Sequence, residues 1–183
     1  MHSLKLTSFV LFVSDVTKSK DFYVTVLGQE VAMDVGNINV GFKSGLAIWE
    51  RKYATNTIFG DEVAQGDNLA QRHDPTQGDN PAQSDNPARV RNLANSEIYF
   101  ETDDIDAAFK KVTAANVKLV HPIRVQPWQQ RVFRLYDPDG FVVEIGESMD
   151  VTIKRLSLGD PSVEAIAAKT FMPIEAVRAI LGK

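Results

Sequence analysis

One order of elements occurs twice in this chain, and that repetition limits the fold more than any other feature. Residues 8–13 (Ser-Phe-Val-Leu-Phe-Val) are β-branched and aromatic, the composition of a strand. Asp15 or Thr17 can cap a helix over 18–27 with Phe22, Tyr23, Val26 and Leu27 on one side, and Gly28 ends it. Three short strands are predicted at 30–34, 39–42 and 46–50, parted by Gly36-Asn37 and Lys43-Ser44-Gly45. After residue 94 the same β-α-β-β-β order returns. It runs as a strand at 97–102, the cap Asp103-Asp104, an amphipathic helix at 105–115, and strands at 118–121, 131–136 and 141–146. Asp137-Pro138-Asp139-Gly140 joins the last two as a four-residue turn. Sliding the first copy by 89 residues sets Ser8 on Glu97 and Asp15 on Asp104. The duplication predicts an α+β protein whose two tandem βαβββ modules, 1–54 and 95–148, form a cupped mixed sheet.

The rest of the chain differs in kind. Residues 55–94 hold near copies of one polar unit, including Gln77-Gly78-Asp79-Asn80-Pro81-Ala82-Gln83 and Ser84-Asp85-Asn86-Pro87-Ala88-Arg89. Without apolar periodicity they predict a mobile insert. Residues 149–183 predict a helical tail. Val151, Ile153, Leu156 and Leu158 are helically spaced, Asp160-Pro161-Ser162 opens a second helix and Met172-Pro173 a third. The Val-Glu-x-Ile-Ala and Pro-x-x-x-Val pattern is similar to the start of a helix-turn-helix. Its few Lys and Arg are scattered, however, which points to packing rather than DNA contact.

Composition narrows the function classes. The chain has 183 residues and no cysteine, which excludes disulfides, thiolate metal sites and thiol nucleophiles. Its formal charge of -4 comes from interspersed acids and bases, with no basic stripe for nucleic acid. No apolar run approaches the roughly 20 residues a membrane helix needs. The first residues carry no basic region ahead of an apolar stretch, and the expectation is a cytoplasmic protein.

Three phrases carry a family resemblance. They are Val10-Leu11-Phe12-Val13-Ser14-Asp15 with Ser19, Phe22-Tyr23 and Leu27-Gly28; Pro127-Trp128-Gln129-Gln130-Arg131-Val132-Phe133; and Asp137-Pro138-Asp139-Gly140-Phe141-Val142-Val143-Glu144. In order and duplicated, they resemble the vicinal-oxygen-chelate superfamily of glyoxalase I, bleomycin-resistance proteins and extradiol dioxygenases. The tail resembles that of a glyoxalase-like subgroup. The resemblance implies four inward metal ligands, at the start of each module's first strand and near the end of its last. By position these are Ser8, Glu50, Glu97 and Glu144, with Ser8 and Glu97 where histidine is usual. Gln129 stands where related sequences show glycine.

Strand alternation sets Ser8, Val10 and Phe12 on one face, Leu46, Ile48 and Glu50 on another, and Glu97, Tyr99 and Glu101 on a third. A four-residue turn at Asp137 to Gly140 sets Phe133 opposite Glu144 and turns Arg131 to the side of Glu144. Three carboxylates in one cup cannot all stay ionised without a cation or protons. Either Glu50, Glu97 and Glu144 hold a hard divalent ion, or Arg131 pairs with one acid while another keeps its proton and no cofactor is needed. His2 and His73 are expected in solvent, and His121 in a structural hydrogen bond. Trp49 is expected to face the helices. Trp128 stands at the mouth of the cup as pocket wall or packing.

Two functions follow. In the first, a cup walled by Phe12, Phe42, Tyr99, Trp128, Arg131 and Phe133 binds a small amphipathic or anionic molecule, with Arg131 orienting a carboxylate or carbonyl. In the second, a glyoxalase-type lyase or isomerase uses a divalent metal ion, with Glu144 or Glu50 moving a proton between adjacent carbons. A third reading makes the tail a partner contact of a regulator. Whether the modules pair within one chain or across a homodimer stays open.

Overall fold

The duplicated order is the order observed. A computed structural model describes residues 5–59, 96–159 and 162–183, and the chain divides into two units, Met1–Asn92 and Leu93–Lys183.

In the first unit, β1 (Phe9–Val13) leads into α1 (Val16–Asp21), with Asp15 Oδ1 accepting from Lys18 N at 3.0 Å as the N-cap. The helix then widens by one residue per turn over Phe22–Val26, with Leu27 N donating to Phe22 O at 3.2 Å, so that the consecutive Phe22 and Tyr23 are both buried. β2 (Val31–Asp34), β3 (Asn39–Phe42) and β4 (Leu46–Glu50) complete a sheet of order β1-β4-β3-β2, parallel only between β1 and β4. Leu11, Val13, Val40, Phe42, Leu46 and Ile48 are buried, and Tyr23 stacks on Phe42 with centroids 5.6 Å apart. Each large apolar side chain so buried contributes about 1.5–3 kcal/mol.

The first module was expected to end at residue 54 and the insert to begin at 55. Instead Arg51–Phe59 form a helix, α2, continuous with β4. The remainder of the expected insert lies outside the described residues.

The second unit repeats the plan with β5 (Glu97–Thr102), α3 (Ile105–Ala114), β6 (Leu119–Val125), β7 (Arg131–Tyr136) and β8 (Val142–Glu147) in the order β5-β8-β7-β6. One side of this sheet packs on α3, where Phe109 meets Phe133 with centroids 5.1 Å apart. The opposite side, which carries Glu97, Tyr99, Arg134 and Glu144, is the open face of this sheet. The tail follows as α4 (Met149–Ser157), α5 (Val163–Thr170) and α6 (Ile174–Leu181), capped by Ser148 and Ser162 at the first two. Ile153, Ile166, Ala167 and Val177 form its buried core with Leu156 packed against it, while Leu158, read as part of the same helical face, is exposed. No helix among the described residues is long and apolar enough to cross a membrane.

Candidate functional site

The open face of the second sheet is set by two turns. Between β7 and β8, Asp137 N donates to Phe141 O at 2.9 Å and Gly140 N to Asp137 O at 3.1 Å, with Gly140 at φ 89°. This is a three-residue loop, Pro138-Asp139-Gly140, whose left-handed last residue adds a bulge. The extra residue moves the pairing by one from the four-residue turn expected: Arg134 pairs with Glu144 and Phe133 with Ile145. A slip of one residue exchanges the faces of a strand. Arg134, not Arg131, therefore shares a side with Glu144.

Arg134 is the hub of that face. Its Nε donates to Glu97 Oε2 at 2.9 Å, its Nη2 pairs with Glu144 Oε2, and its Nη1 donates to His121 Nε2 at 3.2 Å. His121 Nδ1 lies 2.7 Å from Pro122 O. The imidazole is thus held between the Pro122 carbonyl and the Arg134 guanidinium. Glu144 is 3% exposed. Burial raises its pKa above the ordinary glutamate value; Arg134 opposes the shift and the Glu97 charge adds to it. A carboxyl whose pKa is raised by burial holds its proton to higher pH than an exposed one, which suits it to proton exchange.

A second group borders the hub. Tyr99 pairs in register with Glu144, and its ring lies over Gly146. A Cβ at 146 would stand 2.8 Å from the Tyr99 ring and 3.1 Å from Gln130 Nε2, so that position takes only glycine without displacing Tyr99. Gln130, 4% exposed, uses its whole amide. Nε2 donates to Tyr99 Oη at 2.7 Å and to Glu147 O at 2.6 Å, and Oε1 accepts from Trp128 Nε1 at 2.8 Å. Tyr99 Oη donates on to Glu101 Oε1 at 2.9 Å. Burial, then the Glu101 carboxylate, push the Tyr99 phenol up to about 12, which keeps it a donor at neutral pH.

The other expected residues lie elsewhere. Arg131 sits on the α3 side and makes a two-pronged pair with Asp106 at 2.6 and 2.9 Å, holding that carboxyl below its usual range. Phe133 is fully buried in the core of the second unit and Phe42 in that of the first, so neither lines a ligand face. Phe12 does lie away from the first unit's core, edge-on to Trp49 with centroids 6.2 Å apart. Trp49, expected against the helices, lies on the side of the sheet away from α1, with its ring centroid 6.3 Å from that of Tyr53 on α2. The alternation in β4 was read correctly and its faces were reversed, because apolar Leu46 and Ile48 go to the core and take Glu50 with them. Glu50 caps α2, accepting from Lys52 N at 3.0 Å and Tyr53 N at 2.6 Å. Ser8, exposed, immediately precedes β1.

Register explains the asymmetry between the copies. Val10 pairs with Ala47 and Tyr99 with Glu144; Val13 pairs with Glu50 and Thr102 with Glu147. Under the internal repeat, the counterpart of Glu144 is Ala47, and Glu50 matches Glu147. The first unit thus offers Ser8 and Ala47 where the second offers Glu97 and Glu144.

These residues do not fit the divalent ion that the resemblance implies as an alternative. Two carboxylates remain of the expected set, and the guanidinium of Arg134 already supplies their positive charge. Among the described residues no group of three His, Asp or Glu is placed to hold a metal. Arg134 and Gln130 are the residues the sequence reading missed, while His121 makes the structural hydrogen bond expected of it. The signal for Arg134 was Gly140, whose taste for positive φ favours the three-residue loop.

Comparison with known proteins agrees with this architecture. Residues 6–150 match the Glyoxalase-like domain family. The chain resembles the crystal structure of a protein of unknown function from Agrobacterium tumefaciens str. C58, with 34% identity over 81% of this chain and 98% of that one, at a TM-score of 0.59. A glyoxalase/bleomycin resistance protein/dioxygenase family enzyme from Burkholderia phytofirmans PsJN is 17% identical over 79% and 98% of the two chains, at 0.55. A lactoylglutathione lyase from Agrobacterium tumefaciens is 19% identical over 78% and 92%, at 0.50. The last two likenesses show the fold alone. No curated protein matches the chain.

Proposed function

This chain belongs to the glyoxalase-like family, and we propose that it binds, without a metal ion, small organic molecules that bring amine or hydroxyl donors to the open face of its second sheet. The observation that carries this reading is Arg134 set between Glu97 and Glu144. All three of its nitrogens are engaged, by Glu97, His121 and Glu144. A guanidinium grips a carboxylate through two neighbouring N–H groups, and here both such edges are taken. An anionic ligand would have to displace one of the protein's own acids. Carboxylates offer about four lone-pair directions each, so Glu97, Glu101 and Glu144 leave an excess of acceptors, with the Tyr99 ring as an apolar wall beside them. That balance suits donors.

The test is a thermal-shift screen in chelator, with amines and polyols in one set and carboxylates in the other. Stabilisation by the donor set, weakened at least ~10-fold in affinity by Glu97→Gln, supports the reading. Binding that needs an added divalent ion would return the metal-dependent lyase or isomerase, acting through Glu97 and Glu144. A second reading, proton transfer by Glu144 on a bound substrate, is favoured by its burial-raised pKa. In that case Glu144→Gln abolishes turnover and spares binding.

A further inference from the structure

The C-terminal extension reaches the candidate site through one side chain. Arg155, on α4, donates from Nη2 to the backbone carbonyl of Gln129 at 2.7 Å, while Nε and Nη2 hold the Glu147 carboxylate at 2.8–3.2 Å. Glu147 is 1% exposed and also accepts from Thr152 Oγ1 at 2.9 Å, so the guanidinium is fixed in direction. Gln129 is at φ 72°, in a turn closed by Gln126 N to Gln130 O and Gln129 N to Gln126 O, each 2.8 Å. That conformation strains a residue with a Cβ and costs glycine nothing. Next in the chain, Gln130 distributes its amide to Trp128, Tyr99 and the Glu147 carbonyl. The path of this turn therefore decides where Trp128 stands and, through Gln130, where Tyr99 of the open face stands.

We propose that Arg155 is a positioning residue: by gripping the Gln129 carbonyl it holds the turn in its left-handed form and, through Gln130, sets Trp128 beside the open face and Tyr99 on it. The family match ends at residue 150, so the grip comes from beyond the region that the family shares, and the extension is part of the site. The inference rests on the proposed binding only in treating that face as the one a ligand meets. The turn itself is measured without ligand.

The experiment uses the full chain and follows hydrogen exchange of the two tryptophan indole N–H signals by NMR, with Trp128 identified by its loss in Trp128→Phe. Arg155→Met is expected to speed exchange at Trp128 by about tenfold or more and to leave Trp49 unchanged. Arg155→Lys keeps a charge for Glu147 but has no forked head, and gives the same loss if the Met variant does not fold. Gln129→Gly in either background returns Trp128 to within about twofold of the parent rate, because glycine holds positive φ unaided. Val177→Ala loosens the core of the extension without touching the grip, and leaves Trp128 protected. Three results would overturn the inference: a protected Trp128 in the Arg155 variants, no recovery with glycine, or equal acceleration in Val177→Ala. Should the inference hold while no donor-bearing compound binds, the proposed function falls and Arg155 keeps its role.

Discussion

Replacing Arg134 by methionine removes the counter-ion of two acids whose exposures differ, and the cost follows from that difference. Glu97 is 43% exposed at its side chain, so water takes over much of what Arg134 supplied, and its part is about 0–1 kcal/mol. Glu144 is 4% exposed, and an unpaired buried charge costs about 3–5 kcal/mol. Proton uptake caps that cost, since Glu144 already holds its proton above the ordinary range and loses the group that opposed the shift. The sum at neutral pH is about 2–4 kcal/mol. Its sign with pH is fixed. The variant's folded state has the higher Glu144 pKa and binds more protons, so its deficit is largest above that pKa and shrinks as pH falls towards the unfolded value. Urea unfolding followed by circular dichroism at about pH 5 and about pH 8 measures both deficits. Equal deficits at the two pH values, or a variant more stable than the parent, would refute the reasoning.

Gly146→Ala drives a Cβ to 2.8 Å from the Tyr99 ring. It should cost about 1–3 kcal/mol in urea unfolding through the lost Tyr99 hydrogen bonds, and an unchanged midpoint would mean Tyr99 does not lie there. Glu144→Gln should remove one contribution to the pH dependence of stability. The parent loses stability relative to this variant as pH rises from about 4.5 through the raised pKa, and a flat difference would contradict the burial of Glu144. Ile153→Ala, fully buried in the core of the extension, should cost about 2–4 kcal/mol by unfolding midpoint, and a cost below about 1 kcal/mol would mean α4 is not packed there.

Element order, the two helix-then-strands modules and the caps at Asp15 and Asp104 were legible from residue types, because capping and strand propensity act over a few neighbouring positions. Two neighbours in sequence show where that reach stops. The alternation of Trp49 and Glu50 follows from strand geometry, but the side assigned to each, Trp49 to the helices and Glu50 to the cup, was reversed. Leu46 and Ile48 decided that by packing against the core around Leu11 and Val13, carrying Glu50 to the core side of its own sheet. Likewise Arg131 and Arg134 are both plausible partners for an acid on the next strand, and a single left-handed glycine in the turn chose between them.

The amino-acid order by itself therefore determined the duplicated architecture and the alternation within each strand, both local consequences of side-chain type. Which acids meet which guanidinium was decided only in three dimensions. Strand pairing across dozens of residues, shifted by one position at the Gly140 bulge, selects Arg134 for Glu97 and Glu144, and no local preference encodes that selection.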